Sequence, residues 1–129
     1  MKIIVLGGDG FCGWASSLRL SNRGHDVYIV DNLSRRKIDK KLKVNSLTPI
    51  SSIHKRLETW NSINKKKIKY KNIDIAKNAK ELDNLIKKFK PDVIVHFAEQ
   101  RSAPYSMKDL SCRNYTISNN LLTNNNVLE

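Results

Sequence analysis

Little in this chain could staple a fold together from outside. Its 129 residues include two cysteines, three prolines and two tryptophans. Cys12 and Cys112 stand a hundred residues apart, and neither lies in a C-x-x-C or Cys/His spacing, so no disulfide framework or metal ligand set is expected. That usage fits a reducing, cytoplasmic setting. No apolar run approaches the roughly 18 residues that a membrane-spanning helix needs. Met1 leads straight into a strand-like segment without a charged and then apolar leader, so a soluble, untargeted protein with no membrane insertion is expected. Acidic residues are also scarce, with 12 Asp and Glu against 24 Lys and Arg and a formal net charge of +12. Such an excess raises nucleic acid as a partner. The lysines are spread over most segments, however, as in Lys65-Lys66-Lys67 and Lys87-Lys88. They read as solvated surface, and no nucleic-acid partner is expected.

What is present is enough apolar residue, 40% of the chain, to build one core. Lys2-Ile3-Ile4-Val5-Leu6 is a continuous apolar run stopped by Gly7-Gly8-Asp9-Gly10, the pattern of a strand buried on both faces. A helix is expected over 11–20, with Trp14, Ala15 and Leu18 on its inner side and Gly24 past its end. Val27-Tyr28-Ile29-Val30 then forms a second strand, which completes a βαβ unit. Residues 33–67 read as a partly helical insertion. Within it Ile53, Leu57 and Trp60 at i, i+4, i+7 predict a helix over 49–61. A strand over 68–73 precedes a helix carrying Leu82, Leu85, Ile86 and Phe89. Pro91 ends that helix, residues 93–98 form a fourth buried strand, and a last helix runs from about 109 towards 129. The expected fold class is α/β, a Rossmann-like doubly wound parallel sheet. Residues 1–129 are read as one domain.

Gly7, Gly10 and Gly13 form G-x-x-G-x-x-G between a buried strand and a helix. There glycine permits a sharp turn, close approach of backbone to a pyrophosphate, and tight helix–strand packing. Asp31 follows Gly13 by eighteen residues at the end of the second strand, where a carboxylate accepts from ribose hydroxyls and repels a 2′-phosphate. NAD is therefore expected over NADP. Arg35 and Arg36, just beyond, are read as neighbours of the pyrophosphate or adenine and not as a 2′-phosphate site. Asp74 and Ile75 follow the third strand, where they either read the adenine edge or cap the next helix. At the end of the fourth strand His96-Phe97-Ala98-Glu99-Gln100-Arg101 places a polar cluster at the carboxyl edge of the sheet, where ligands of open α/β folds bind. His96, inside the apolar run, reads as a satisfied core residue.

Taken together, the stretches 7–14 and 31–36, Ser46-Leu47-Thr48-Pro49-Ile50, Ser52-Ile53-His54 and above all 96–107 resemble the UDP-sulfoquinovose synthase family. That family is a branch of the NAD-dependent epimerases/dehydratases within the extended short-chain dehydrogenases/reductases. The resemblance spans nearly the whole chain. It implies synthesis of UDP-sulfoquinovose for sulfolipid from UDP-glucose and sulfite, with NAD used and restored in each turnover. It assigns Phe11, Cys12, Asp31, Asn32, Leu33, Ser34, Arg35, Arg36, Asp74, Ile75 and Ala98 to NAD, Asn119 to its nicotinamide side, and Gln100 and Arg101 to the UDP-sugar. No catalytic residue is expected in this stretch, because the Tyr-x-x-x-Lys pair and the accompanying Ser or Thr lie beyond residue 129, and neither Tyr70 nor Tyr105 fits. Thr123 stands where such enzymes usually carry glycine. Homo-oligomerisation is left open. The alternatives are another NAD-dependent nucleotide-sugar epimerase/dehydratase or a non-catalytic NAD-binding remnant.

Overall fold

The computed structural model describes residues 1–101 and 103–128. Ser102, part of the 96–107 string, lies outside the described residues, as does Glu129. Strands β1 (Lys2–Leu6), β2 (Asp26–Val30), β3 (Lys69–Lys71) and β4 (Val93–His96) pair in parallel in the order β3-β2-β1-β4. Leu6 lies opposite both Val30 and His96, and Val30 opposite Lys71, so the carboxyl ends of all four strands line up in one row. The chain leaves β1 towards β2 and β3 on one side and reaches β4 on the other. The crevice above β1 is therefore the point where strand order reverses, the place where open α/β sheets bind ligands.

Alternation with period two divides the strand residues between the faces. Ile3, Val5, Val27 and Ile29 pack with Trp14 and Leu18 of α1 (Phe11–Asn22) and with Ile53 and Leu57 of α3 (Ile53–Ile63). Ile4, Leu6 and Val30 face Leu82 and Leu85 of α4 (Ala79–Phe89) and Val127 of α6 (Leu110–Leu128). Helices thus cover both faces, and the doubly wound class expected from the sequence is present. A third cluster joins Ile38 of α2 (Ser34–Leu42) to Tyr105 of the short α5 (Ala103–Ser106) and Cys112 of α6.

Several boundaries and faces differ from the expectation. The inner stripe of α1 is Gly13, Ser17 and Ser21, and Ala15 is exposed. Small residues win that position because the helix lies close on β1, and the serines satisfy their hydroxyls. Ser17 Oγ donates to Gly13 O (2.7 Å), and Ser21 Oγ donates to Lys66 O while accepting from Trp60 Nε1. The insertion holds two helices, α2 and α3. The second starts at Ile53 and not at 49, because Ser52 is its N-cap, Oγ accepting from Lys55 N. β4 is shorter than residues 93–98 and half exposed, since it forms an outer edge of this sheet. α6 begins as expected, with Asp109 Oδ1 accepting from Cys112 N at 2.7 Å.

Candidate functional site

The glycine turn works through contacts that leave no room for a side chain. Gly7 has φ +77°, and a Cβ there would stand 2.5 Å from Phe97 O. A Cβ on Gly13 would stand 2.1 Å from Gly7 O. The first turn of α1 is thereby drawn against the ends of β1 and β4. Gly10 is the N-cap, and no side chain caps the helix, so the amides at the positive end of the dipole remain available to an anion.

Asp31 sits at the end of β2. Its Oδ2 accepts from Asp9 N (2.9 Å) and its Oδ1 from Leu33 N (2.7 Å). Burial raises its carboxyl above the ordinary value despite these two amides. Leu33 takes the left-handed conformation, φ 58°, a conformation costly for a branched residue and held here by the Asp31 acceptor. Tyr70 donates to Asp31 O and is pushed up to about 12 by burial and by the Asp31 charge.

These groups open onto one cleft of about 1220 Å³ above the carboxyl ends of the strands. All the residues assigned to NAD or the sugar nucleotide line it except Leu33 and Arg36. Leu33 acts through its backbone, and the Arg36 guanidinium is turned to Asp9. Phe11 is 88% exposed at the cleft wall, and Arg101 is exposed at its rim. Ser46, Thr48, Pro49, Ile50 and Ser51 of the insertion close one side. Gln100 is held by its backbone, whose N donates to Asn120 Oδ1 (2.8 Å) and whose O accepts from Asn120 Nδ2 (3.0 Å).

Among the described residues, the buried side-chain polar atoms that lack any partner are Arg35 Nε, Asp74 Oδ1, His96 Nε2 and Gln100 Nε2, and all four residues line this cleft. Three are donors and one is an acceptor. His96 Nδ1 accepts from Ala98 N, which leaves the proton on Nε2. His96 is therefore not the satisfied core residue expected. Asp74 does not cap α4, which starts at Ala79 behind Asn78; the residue lines the cleft, and its Oδ1 is buried without a partner. A ligand carrying both acceptors and donors would satisfy groups whose neglect costs about 1–3 kcal/mol each.

Three features were not legible as site residues. Asp9, between the glycines, is 3% exposed and gathers Arg35, Arg36 and Arg56 around it. Arg56 also lies over the Trp14 ring, 3.9 Å from its centroid. Three asparagines of α6 each tie down a cleft loop. Asn120 holds Gln100, Asn124 donates to Glu99 Oε1, and Asn126 donates to Ile75 O. An acidic residue inside a glycine turn was the one available signal, and it pointed to no partner 27 or 47 residues away.

The model of the NAD dependent epimerase/dehydratase family matches residues 3–129. The chain belongs to that family. It is 49% identical over 127 residues to the chloroplastic UDP-sulfoquinovose synthase of Spinacia oleracea, covering 98% of this chain and 26% of the relative. It is 38% identical over 135 residues to the UDP-sulfoquinovose synthase of Sulfolobus acidocaldarius, covering 100% of this chain and 33% of the relative. The chain thus spans about a quarter to a third of the length of these relatives. Among solved structures it resembles a UDP-glucose 4-epimerase from Stenotrophomonas maltophila with bound NAD and formylated UDP-arabinopyranose. The TM-score there is 0.71 at 23% identity, over 99% of this chain and 33% of the other. The UDP-Glc/GlcNAc 4-epimerase of Campylobacter jejuni gives a TM-score of 0.72 at 21% identity, over 98% and 32%. Both likenesses carry the fold.

His96 also sets an expectation for pH. Burial holds its imidazole below the ordinary value. A histidine depressed in the folded state contributes stability that is present above the unfolded pKa of about 6.5 and is lost as pH falls from there through the folded pKa. Unfolding midpoints in urea should therefore drop between pH 7.5 and 5.5. His96→Asn, which keeps an acceptor for Ala98 N and does not titrate, should show a smaller drop. An equal drop in both proteins would show that His96 is not the group responsible.

Proposed function

We propose that this chain is the NAD-binding part of a UDP-sulfoquinovose synthase, which makes UDP-sulfoquinovose from UDP-glucose and sulfite. The observation that carries the cofactor reading is the glycine turn packed against the ends of β1 and β4 beneath the cleft, where a Cβ on Gly7 or Gly13 would meet backbone, with Asp31 at the end of β2 lining the same cleft. The choice of reaction rests on similarity to the two curated synthases, which extends through the cleft-lining segments.

The residues fit a dinucleotide. The amides at the start of α1 would take the pyrophosphate, with Phe11 and Cys12 beside it. Asp31 would accept from the ribose hydroxyls while Asn32 and Ser34 frame that end. Asp74 Oδ1, an acceptor, suits an exocyclic amine, and Ile75 would pack on the adenine ring. Ala98 and Asn119 would flank the nicotinamide side, and Gln100 and Arg101 would meet the sugar nucleotide. NAD supplies a reversible hydride acceptor when bound. The proton-transfer residues lie outside this stretch, so the chain by itself is expected to bind and not to turn over.

Among the described residues no helix is long and apolar enough to cross a membrane. Cys12 and Cys112 are both free thiols, which supports a reducing, cytoplasmic location, although the spinach relative is named chloroplastic. Leu110, Ile117, Leu121 and Leu128 are exposed at heptad-like spacing along α6, which supports a homo-oligomer or cover by further chain. Nucleic acid is not proposed as a partner.

Calorimetric titration should show NAD bound at least tenfold more tightly than NADP. Equal affinities would refute the role given to Asp31. In a chain continued to the full length of the relatives, Arg101→Ala should weaken UDP-glucose binding about ten- to a hundredfold, the worth of a charged hydrogen bond, and leave NAD affinity unchanged. Unchanged sugar-nucleotide affinity would remove Arg101 from the substrate site.

A further inference from the structure

Arginines that follow the second strand of a dinucleotide fold are the usual holders of a 2′-phosphate, and this chain has two of them in sequence, Arg35 and Arg36, with Arg56 close in space. Arg36 does not face the cleft. Its Nε and Nη2 donate to Asp9 Oδ2 and Oδ1 at 2.6 and 2.8 Å, Nη2 also donates to Ser51 O at 2.9 Å, and Nη1 donates to Ile50 O at 3.4 Å. Arg56 Nη1 donates to the same Asp9 Oδ1 at 3.0 Å. Arg35 Nη2 stands 4.0 Å from Asp9 Oδ2, and its Nη1 stands 3.6 Å from Asp39. One carboxylate, whose side chain is 2% exposed, thus occupies the guanidinium edges that a phosphate dianion would otherwise claim. The backbone N of this same residue donates to Asp31 Oδ2 at 2.9 Å. The group that holds the arginines and the carboxylate that would read the ribose are therefore adjacent parts of one structure.

From this we infer that Asp9 is a specificity-determining residue, a built-in occupant of the arginine site that withholds Arg36 and Arg56 from a 2′-phosphate and so keeps the cleft for NAD. The inference rests on the NAD reading above. It differs from that reading in assigning the discrimination to two carboxylates, Asp31 by repulsion and Asp9 by occupation. Asp31 replaced alone would lose the repulsion but leave Arg36 bound. NADP affinity then rises only a few-fold. Asp9 replaced frees the guanidinium, and NADP affinity rises much further.

The test is titration of NAD and of NADP into the whole chain and its variants. Asp9→Asn should raise the affinity for NADP at least tenfold relative to that for NAD, and Arg36→Gln added to it should cancel the gain. Because three arginines around a neutral amide can destabilise the fold, Asp9→Asn with Arg56→Met is the second variant. It restores the charge balance and keeps an apolar side chain against Trp14, and the same NADP gain is expected from it. A folded variant that binds NAD without any NADP gain overturns the inference and leaves the NAD reading standing. Unfolding of both variants also overturns it, because Asp9 would then serve the fold and not the choice of cofactor. A parent chain that binds neither dinucleotide overturns the NAD reading, and this inference with it.

Discussion

Gly13→Ala is expected to abolish NAD binding and to lower the melting temperature by roughly 10 °C. The added methyl would stand 2.1 Å from Gly7 O and 2.8 Å from Gly8 Cα, both backbone atoms that no rotamer change can move aside. An extra methylene in a packed core typically costs about 1–3 kcal/mol. Here Gly7 is itself held at φ +77° against Phe97 O, so relief on one side creates a clash on the other. A cost near 3 kcal/mol corresponds to a fall of that size in a domain of this length. NAD affinity should fall more than a hundredfold, because displacing α1 moves the amides meant for the pyrophosphate. Gly24→Ala separates clash from strain. Gly24 has φ +88° but nothing within 4 Å of an added Cβ, so the melting point should fall by a few degrees with NAD binding intact. Thermal unfolding followed by circular dichroism, with NAD titrations on each protein, makes the comparison. A Gly13→Ala protein that melts within 2 °C of the parent and binds NAD normally would refute this account of the turn.

Asp31→Ala should weaken NAD about a hundredfold, because two hydroxyl donors lose a charged acceptor. The Asp9 and Leu33 amides lose theirs as well, which also releases Leu33 from its left-handed turn. The parent protein should show the matching pH dependence. Burial raises the Asp31 carboxyl, and ribose hydroxyls favour its ionised form, so binding lowers that value again. NAD affinity should therefore rise with pH up to the raised value of the free protein and be flat above it, with a proton released on binding below that point. Folding moves the opposite way. A carboxyl raised in the folded state contributes stability that is full below its unfolded pKa of about 3.9 and is lost as pH rises through the folded value. NAD should thus raise the melting temperature more at pH 7 than at pH 4. Calorimetry in two buffers of different ionisation enthalpy measures the proton. If NAD affinity proves independent of pH across the acid range, Asp31 does not carry the ribose contact.

The central βαβ unit was legible because each of its signals is local. A short, β-branched apolar run closed by a glycine turn reads as a strand buried on both faces, and Asp31 occurs where the second such run stops. Ile53, Leu57 and Trp60 marked a helix correctly, since their spacing needs no knowledge of the partner, but its start was set by Ser52, whose hydroxyl caps a helix only once the chain has turned there. On the inner face of α1, Trp14 and Leu18 pack as expected, but Ala15 is exposed and Gly13, Ser17 and Ser21 are the fully buried residues. Apolar residues usually mark the buried side, yet the close approach of α1 at Gly13 leaves no room for a side chain there, and the next buried turns of that stripe are taken by the small Ser17 and Ser21.

What the sequence determined alone was the class of sheet, the glycine cradle and the carboxylate at the end of β2, because helix and strand periods and tight turns are encoded over a few residues. Tertiary structure alone decided which distant polar groups pair. Asp9 meets Arg36 and Arg56 across 27 and 47 residues, and Asn126 meets Ile75 across 51. No local pattern encodes such pairs. They arise when four strand ends align in one row and the insertion folds over them, and only then does a buried carboxylate acquire the cations that its desolvation requires.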